Sequence, residues 1–163
     1  MDKQGSASNH AGYAKKTRRT EWTSDNKRRP GEEVPFGCGK LVAKIDKGFV
    51  NGEAVWAATG LEDCAWKTMK VPGLMQEQGL EGFNGIVWFR KTIDIPANWT
   101  DKELTLNVGV IDDNDFTYFN GVQVGHTEGW MAPRSYKIPK ELVKGGKAVI
   151  AVRVMDTGGT GGI

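Results

Sequence analysis

Asp112, Asp113 and Asp115, with Asn114 between them, put three carboxylates and an amide into four consecutive positions of "IDDNDFTYFNGVQVG". Residues of these types can bind a hard cation, act as paired acid and base, hold sugar hydroxyls, or only turn the chain at a strand end. An EF-hand loop is excluded. Started at Asp113 it places Tyr118 where the tight turn needs glycine and Val124 where the closing glutamate belongs. Started at Asp112 it places Thr117 and Gln123 there. A structural calcium held partly by backbone carbonyls is the form of metal site the block still allows, because hard cations need only enough oxygens. Asp113 and Asp115 lie on one side of an extended segment, which puts their carboxyls about 7 Å apart, the spacing of an inverting glycosidase pair. Nothing nearby in the sequence supplies the enclosed pocket and raised pKa that a general acid needs. The expectation is therefore a structural one: Asp112–Asp115 form a sheet corner that satisfies backbone N–H groups.

Nucleophilic catalysis is poorly served. "QGSASN" (Gln4–Asn9) has the serines of an esterase block, but no hydrophobic strand precedes them to hold Ser6 or Ser8 on a tight turn. His126 has Glu128 beside it, yet a single histidine in a turn is ordinarily a surface residue. With His10 it is one of two histidines, and Cys38 and Cys64 stand 26 positions apart without metal-ligand spacing, so a zinc site is not expected. The two cysteines fit a disulfide or two buried thiols equally well.

Elements that would position these groups begin near Leu41. "GIVWFRKTIDI" (Gly85–Ile95) has period two, with Val87, Phe89, Lys91, Ile93 and Ile95 on one face. In "ELTLNVGV" (Glu103–Val110), Leu104, Leu106, Val108 and Val110 face one way. Asn120-Gly121 predicts a type I′ hairpin between two short strands, and "KAVIAVRVMD" (Lys147–Asp156) predicts another strand. "PKELVKG" (Pro139–Gly145) predicts a single helical turn opened by proline. Short strands with Gly, Pro and Asn turns in a chain holding 22 glycines and six tryptophans predict an all-β, antiparallel sandwich at 41–163. "DTGGTGGI" reads as a turn leading into a further strand, as in a segment of something larger.

Residues 1–40 read instead as a polar, basic leader without sustained apolar period, apart from a short helix allowed through Tyr13–Trp22. Eight of the basic residues and five acids fall in residues 1–33, a net of +3, which leaves −1 for the rest of a chain whose total is +2. That balance points to neither a nucleic-acid nor a membrane partner, although the leader suits an acidic protein partner. No apolar run is long enough to span a bilayer, and no signal peptide is present at Met1.

Four ordered blocks carry a resemblance: "WKTMKVPGL" (Trp66–Leu74), "GLEGFNGIVWFRKTIDIP" (Gly79–Pro96), "IDDNDFTYFNGVQVG" (Ile111–Gly125) and "YKIPKELVKGGKAVIAVRVMDTGGTGGI" (Tyr136–Ile163). Over Asp46–Ile163 the chain resembles the galactose-binding-like jelly-roll sandwich inserted in bacterial sialate O-acetylesterases. More loosely it resembles the amino-terminal sugar-binding domain of glycoside hydrolase family two. The resemblance implies a non-catalytic module: the Gly-Gln-Ser-Asn and Asp-x-x-His blocks that carry the esterase centre are not in this sequence. It implies a glycan or an SGNH-type catalytic domain as partner, and a periplasmic or secreted place. A glycan site needs an aromatic platform and planar polar groups. "GHTEGWMAPRSY" (Gly125–Tyr136) supplies Trp130, Arg134 and Tyr136 beside Asn120, Asp113 and Asp115, and these six are the candidate sugar contacts, with Trp130 folding back over the sandwich edge as the competing expectation. Trp88 is expected in the core, and Arg90 and Arg153 are expected to pair with a carboxylate such as Asp156.

Overall fold

The computed structural model describes Thr20–Ser24 and residues 46–163. The rest of the segment read as a leader, including His10, Ser6, Ser8 and Cys38, lies outside the described residues.

Eight strands form: β1 (Thr20–Ser24), β2 (Lys67–Val71), β3 (Gly85–Ile95), β4 (Leu104–Val110), β5 (Asn114–Phe119), β6 (Val122–Thr127), β7 (Pro133–Ile138) and β8 (Gly146–Asp156). They make a six-stranded sheet, ordered β2-β1-β3-β8-β5-β6, and a two-stranded sheet, β4-β7, all neighbours antiparallel. Among the described residues there is no α-helix, only 3-10 turns such as Lys140–Leu142, capped by Pro139 as its sequence predicts. None of these is long and apolar enough to cross a membrane. The all-β sandwich is the fold the sequence predicts.

The backbone of the sheet is the β3–β8 ladder, which pairs along its whole length from Gly85 with Asp156 to Ile95 with Gly146. Val87, Phe89 and Ile95 on β3 and Ile150, Val152 and Val154 on β8 face the second sheet. Phe119, Ile138 and the half-buried Leu104, Leu106 and Val108 close that core. Each such side chain withdrawn from water contributes about 1.5–3 kcal/mol.

Two expectations are corrected. Thr20–Ser24, within the segment read as leader and overlapping the helix allowed there, is a strand inserted between β2 and β3. Its threonines and tryptophan favour strand over helix, and pairing on both sides outweighs local polarity. Val110 does not follow Leu104, Leu106 and Val108 inward but is half exposed. The β4–β7 register shifts between Asn107 and Gly109, and one extra residue in a strand turns everything after it to the other face. On the second face of β3, Trp88 lies in the core as expected and Arg90 is buried beside it, while Thr92 and Asp94 are exposed. Trp88 and Arg90 are buried because residues 46–66 run across the outside of the six-stranded sheet and cover it.

That outer layer is held by aromatic stacking and by charge. Trp88 stacks on Tyr118 at 5.7 Å and meets Trp56 edge-on at 6.2 Å. Asp46 receives the Trp88 indole N–H at 2.9 Å and Arg153 Nε at 2.6 Å, while Arg90 Nε donates to Asp63 at 3.0 Å. Both arginines do pair with carboxylates, though not with Asp156. Asp156 accepts instead from Gln76 Nε2 at 3.1 Å and from the Gly158 N–H at 3.0 Å.

Candidate functional site

β5 alternates through the acidic block, so Asp115, Thr117 and Phe119 point into the sandwich while Phe116 and Tyr118 point to the outer layer. Opposite them, β7 sends Arg134, Tyr136 and Ile138 inward and leaves Pro133, Ser135 and Lys137 outside. The interior is consequently apolar around Phe119 and Ile138 and polar around Asp115.

Asp115 has 0% and Arg134 1% of its surface exposed. Arg134 Nε donates to Asp115 Oδ1 at 2.9 Å, Thr117 Oγ1 to Oδ2 at 2.7 Å, and the Tyr136 hydroxyl reaches both oxygens at 2.9 and 3.0 Å. The other guanidinium nitrogens donate to main-chain oxygens of Ala132, Asp113 and Gly129. A carboxylate taken from water is tolerated only when paired and hydrogen-bonded in this manner. Burial, together with the neighbouring Asp115 charge, pushes the Tyr136 hydroxyl up to about 12, so it stays a neutral donor. Gly125 is part of the same construction, because a Cβ there would overlap the Tyr136 ring.

Three of the six candidate sugar contacts, Asp115, Arg134 and Tyr136, are thus brought together, but as an internal lock that spends its hydrogen-bonding groups on itself. The paired-acid reading of Asp113 with Asp115 ends here too, since Asp115 is committed to Arg134. Asn120 occupies the first hairpin position at φ 49°, with Gly121 at 83°, as the dipeptide predicts. Its Oδ1 accepts from the Val149 N–H at 2.8 Å, so it ties the hairpin to β8. Asp113 accepts from both the backbone N–H of Thr157, at 2.8 Å, and its hydroxyl. Burial opposes ionisation of Asp113, but these Thr157 hydrogen bonds outweigh it and hold its carboxyl below 3.8. The corner is shorter than Asp112–Asp115, for β5 already begins at Asn114.

Trp130 departs from the folded-back expectation with 57% of its surface exposed. It stands on a shallow cleft of about 270 Å³ at one end of the sandwich, with Leu74, Val110, Ile163 and Asp112. Gly73 and Gly162 bring the chain close behind it: Gly73 N–H donates to Ile163 O at 2.8 Å and Asp112 N–H to Gly162 O at 3.1 Å. Asp112 is the carboxylate of the block that finds no N–H donor or cation partner among the described residues. It meets the Asp113 side chain. Burial first, then that hydrogen bond and the charges of Asp113 and Asp156, raise its carboxyl from 3.8 to about 6. Sequence reasoning missed Asp112, Leu74, Val110 and Ile163 as a group, because they are gathered only when "DTGGTGGI" threads between the 73–75 turn and the acidic corner.

Among the described residues no cluster of metal-ligating side chains is assembled. Calcium needs several oxygens around one point, and among the described residues no three His, Cys, Asp or Glu side chains converge to hold an ion. His126 stacks on Phe116 at 4.1 Å, with Nδ1 2.6 Å from Asp115 O and Nε2 3.5 Å from Glu128. Cys64 is exposed, which excludes a buried thiol there.

No protein-family model and no curated protein sequence matches the chain. Solved structures do. A β-glucuronidase from glycoside hydrolase family 2 superposes with a TM-score of 0.61 at 17% identity, over 86% of this chain and 14% of its own. A Ruminococcus gnavus β-glucuronidase gives 0.60 at 21% identity, over 85% and 20%. An uncultured Clostridium sp. β-glucuronidase gives 0.59 at 23% identity, over 84% and 21%. The chain therefore spans between a seventh and about a fifth of these enzymes' lengths. At such identities the likeness is one of fold, and it falls on the looser of the two resemblances read from the sequence.

Proposed function

We propose that this chain is a non-catalytic β-sandwich module of a carbohydrate-active hydrolase, shaping or presenting the catalytic part of a longer polypeptide. One observation carries the reading: Asp115, Arg134 and Tyr136, three of the groups suited to chemistry, are consumed by the lock they form with one another. The small share of each solved neighbour that this fold occupies supports a modular role. The finer reading is that the parent is a sialate O-acetylesterase, supported by the four ordered sequence blocks. A parent in glycoside hydrolase family 2 is the second reading, favoured by the solved structures.

The test is an assay of the polypeptide encoded by the whole gene, with and without residues 46–163, on O-acetylated sialosides and on nitrophenyl glycosides. The module reading expects activity of the long form on one substrate class and its loss on deletion. The 163-residue chain alone should turn over neither. Hydrolysis by the chain alone would overturn the proposal, and release of nitrophenol rather than acetate would move the parent to the glycosidase reading.

A further inference from the structure

We infer that the Trp130–Asp112 cleft is a subsite for one neutral pyranose ring and that it discriminates against acidic sugars. The inference rests on the reading of the chain as part of a carbohydrate-active hydrolase, and it names a site and a ligand class within it.

Asp113 is tied down by Thr157, Asp156 by Gln76 and Gly158, and Asp115 by three side chains. Asp112, half buried on the cleft wall, has no N–H donor or cation to satisfy it among the described residues. A partly desolvated acceptor of this kind is costly until a ligand supplies donors. Beside it, Trp130 presents its ring to solvent, and Leu74, Val110 and Ile163 line the rest. A ligand that fits must therefore offer adjacent O–H donors on one edge and a C–H face for an indole. A pyranose ring does both. The volume, about 270 Å³, lies below the range of drug-sized pockets and suits one ring rather than a chain of them.

Charge sets the discrimination. Asp112, Asp113 and Asp156 act on one another at this end of the sandwich. One opposing charge, that of Arg134, acts on Asp112, but it is buried, paired with Asp115 at 2.9 Å, and outweighed by the charges of Asp113 and Asp156. No lysine or arginine lines the cleft. A sugar carboxylate would meet a net like charge, with no cation on the cleft wall to pair with it.

The experiment is a titration of the full chain near pH ~7.5, followed by NMR, with methyl β-galactoside, methyl β-glucoside and N-acetylglucosamine against glucuronate and N-acetylneuraminate. A ring of about a dozen non-hydrogen atoms at ordinary ligand efficiency gives a Kd in the range of ~1 mM. At least one neutral sugar should shift the Trp130 indole N–H, assigned by its disappearance in Trp130→Phe, and the acidic sugars should bind about tenfold more weakly or not at all. Trp130→Ala should abolish binding. Asp112→Asn should weaken the neutral sugar a few-fold and narrow the gap to the acidic ones, while Trp99→Ala, exposed outside the cleft, should change nothing. Unfolding curves for each variant confirm that the fold persists. Equal or tighter binding of the acidic sugars, binding indifferent to Trp130→Ala, or no response to any neutral sugar at about 50 mM, well above that Kd, overturns the inference. Such silence together with loss of the parent's activity on deleting the module would leave the scaffold reading standing and remove only the subsite.

Discussion

Replacing Asp115 by alanine should damage stability before it touches any ligand, and the size of the loss can be worked from its surroundings. The carboxylate accepts hydrogen bonds from Arg134, Thr117 and Tyr136, at distances between 2.7 and 3.0 Å. Removing it leaves a guanidinium in a dry interior without its counter-charge, a change that costs about 3–5 kcal/mol in buried pairs. The Thr117 hydroxyl also loses its acceptor, at about 1 kcal/mol or more, whereas Tyr136 keeps Thr127 Oγ1 at 2.8 Å. These losses overlap, so about 4–5 kcal/mol is expected in all. Against a total stability of about 5–15 kcal/mol this is a large fraction. At about 2–4 °C per kcal/mol, the melting temperature should fall by roughly 8–20 °C.

The assay is urea unfolding of Asp115→Ala, Arg134→Met and the double variant, followed by fluorescence and circular dichroism. Removing both charges abolishes the stranded one, so the double variant should be more stable than Asp115→Ala, with a coupling energy of about 2 kcal/mol or more. Additive single effects, or a loss below about 1 kcal/mol for Asp115→Ala, would show that the carboxylate and guanidinium do not depend on each other. An unaltered unfolding curve with altered glycan binding would return Asp115 to the role of ligand contact.

Asn120→Ala should cost about 1–2 kcal/mol in urea unfolding, because alanine tolerates the positive φ poorly and strands the Val149 N–H; Asn120→Gly should recover the backbone share and keep only the lost hydrogen bond. Gly125→Ala drives a methyl group into the Tyr136 ring and should cost about 1–3 kcal/mol, and an unchanged melting temperature would contradict the packing of that ring. Asp112 is raised from 3.8 to about 6, so its contribution to stability is complete below 3.8 and disappears as pH rises through 6. Asp112→Asn should remove that dependence and be the more stable form above pH ~6, by about 1 kcal/mol once solvent screening reduces the nominal figure of about 3. Identical slopes for the two proteins between those pH values would refute it. Asp113, held below 3.8, has the opposite sign: its contribution is complete above 3.8 and is lost as pH falls through its lowered value.

The strands were legible wherever period two or a turn dipeptide marks them. Gly85–Ile95 has the predicted bounds, and Asn120-Gly121 makes the predicted hairpin. What the sequence hides is whatever depends on distant chain. Trp88 reads as a core residue and Arg90 as half of an ion pair, but nothing local shows that residues 46–66 cross the sheet to cover them. Val110 reads as inward until a bulge near Gly109, a glycine at φ 97°, turns it out. Arg134 and Tyr136 were rightly placed near Asp115, but proximity cannot tell a site from a lock. Burial decides, and burial belongs to the assembled sandwich.

The fate of the three aspartates follows from where the pleat leaves them. Asp115 falls on the inward phase of β5, where an ionised group survives only by pairing, and Arg134 arrives from β7 to meet it. The same solution recurs on the outer face, where Arg90 takes Asp63 and Arg153 takes Asp46. In every case the partners are far apart in sequence, 19, 27 and 107 positions. Such pairs are weak sources of net stability but heavily penalise any register that separates them. They pin β7 against β5 inside, and residues 46–66 against β3 and β8 outside. Asp113, one position before β5, is outside the dry layer and closes a turn on Thr157. Asp112 is outside it too, but no arginine or N–H among the described residues hydrogen-bonds to its carboxyl. A block that looked like one acidic cluster is thus divided by its position along one strand into a core pair, a turn lock and a single carboxyl facing the cleft, and only the last is placed to meet another molecule.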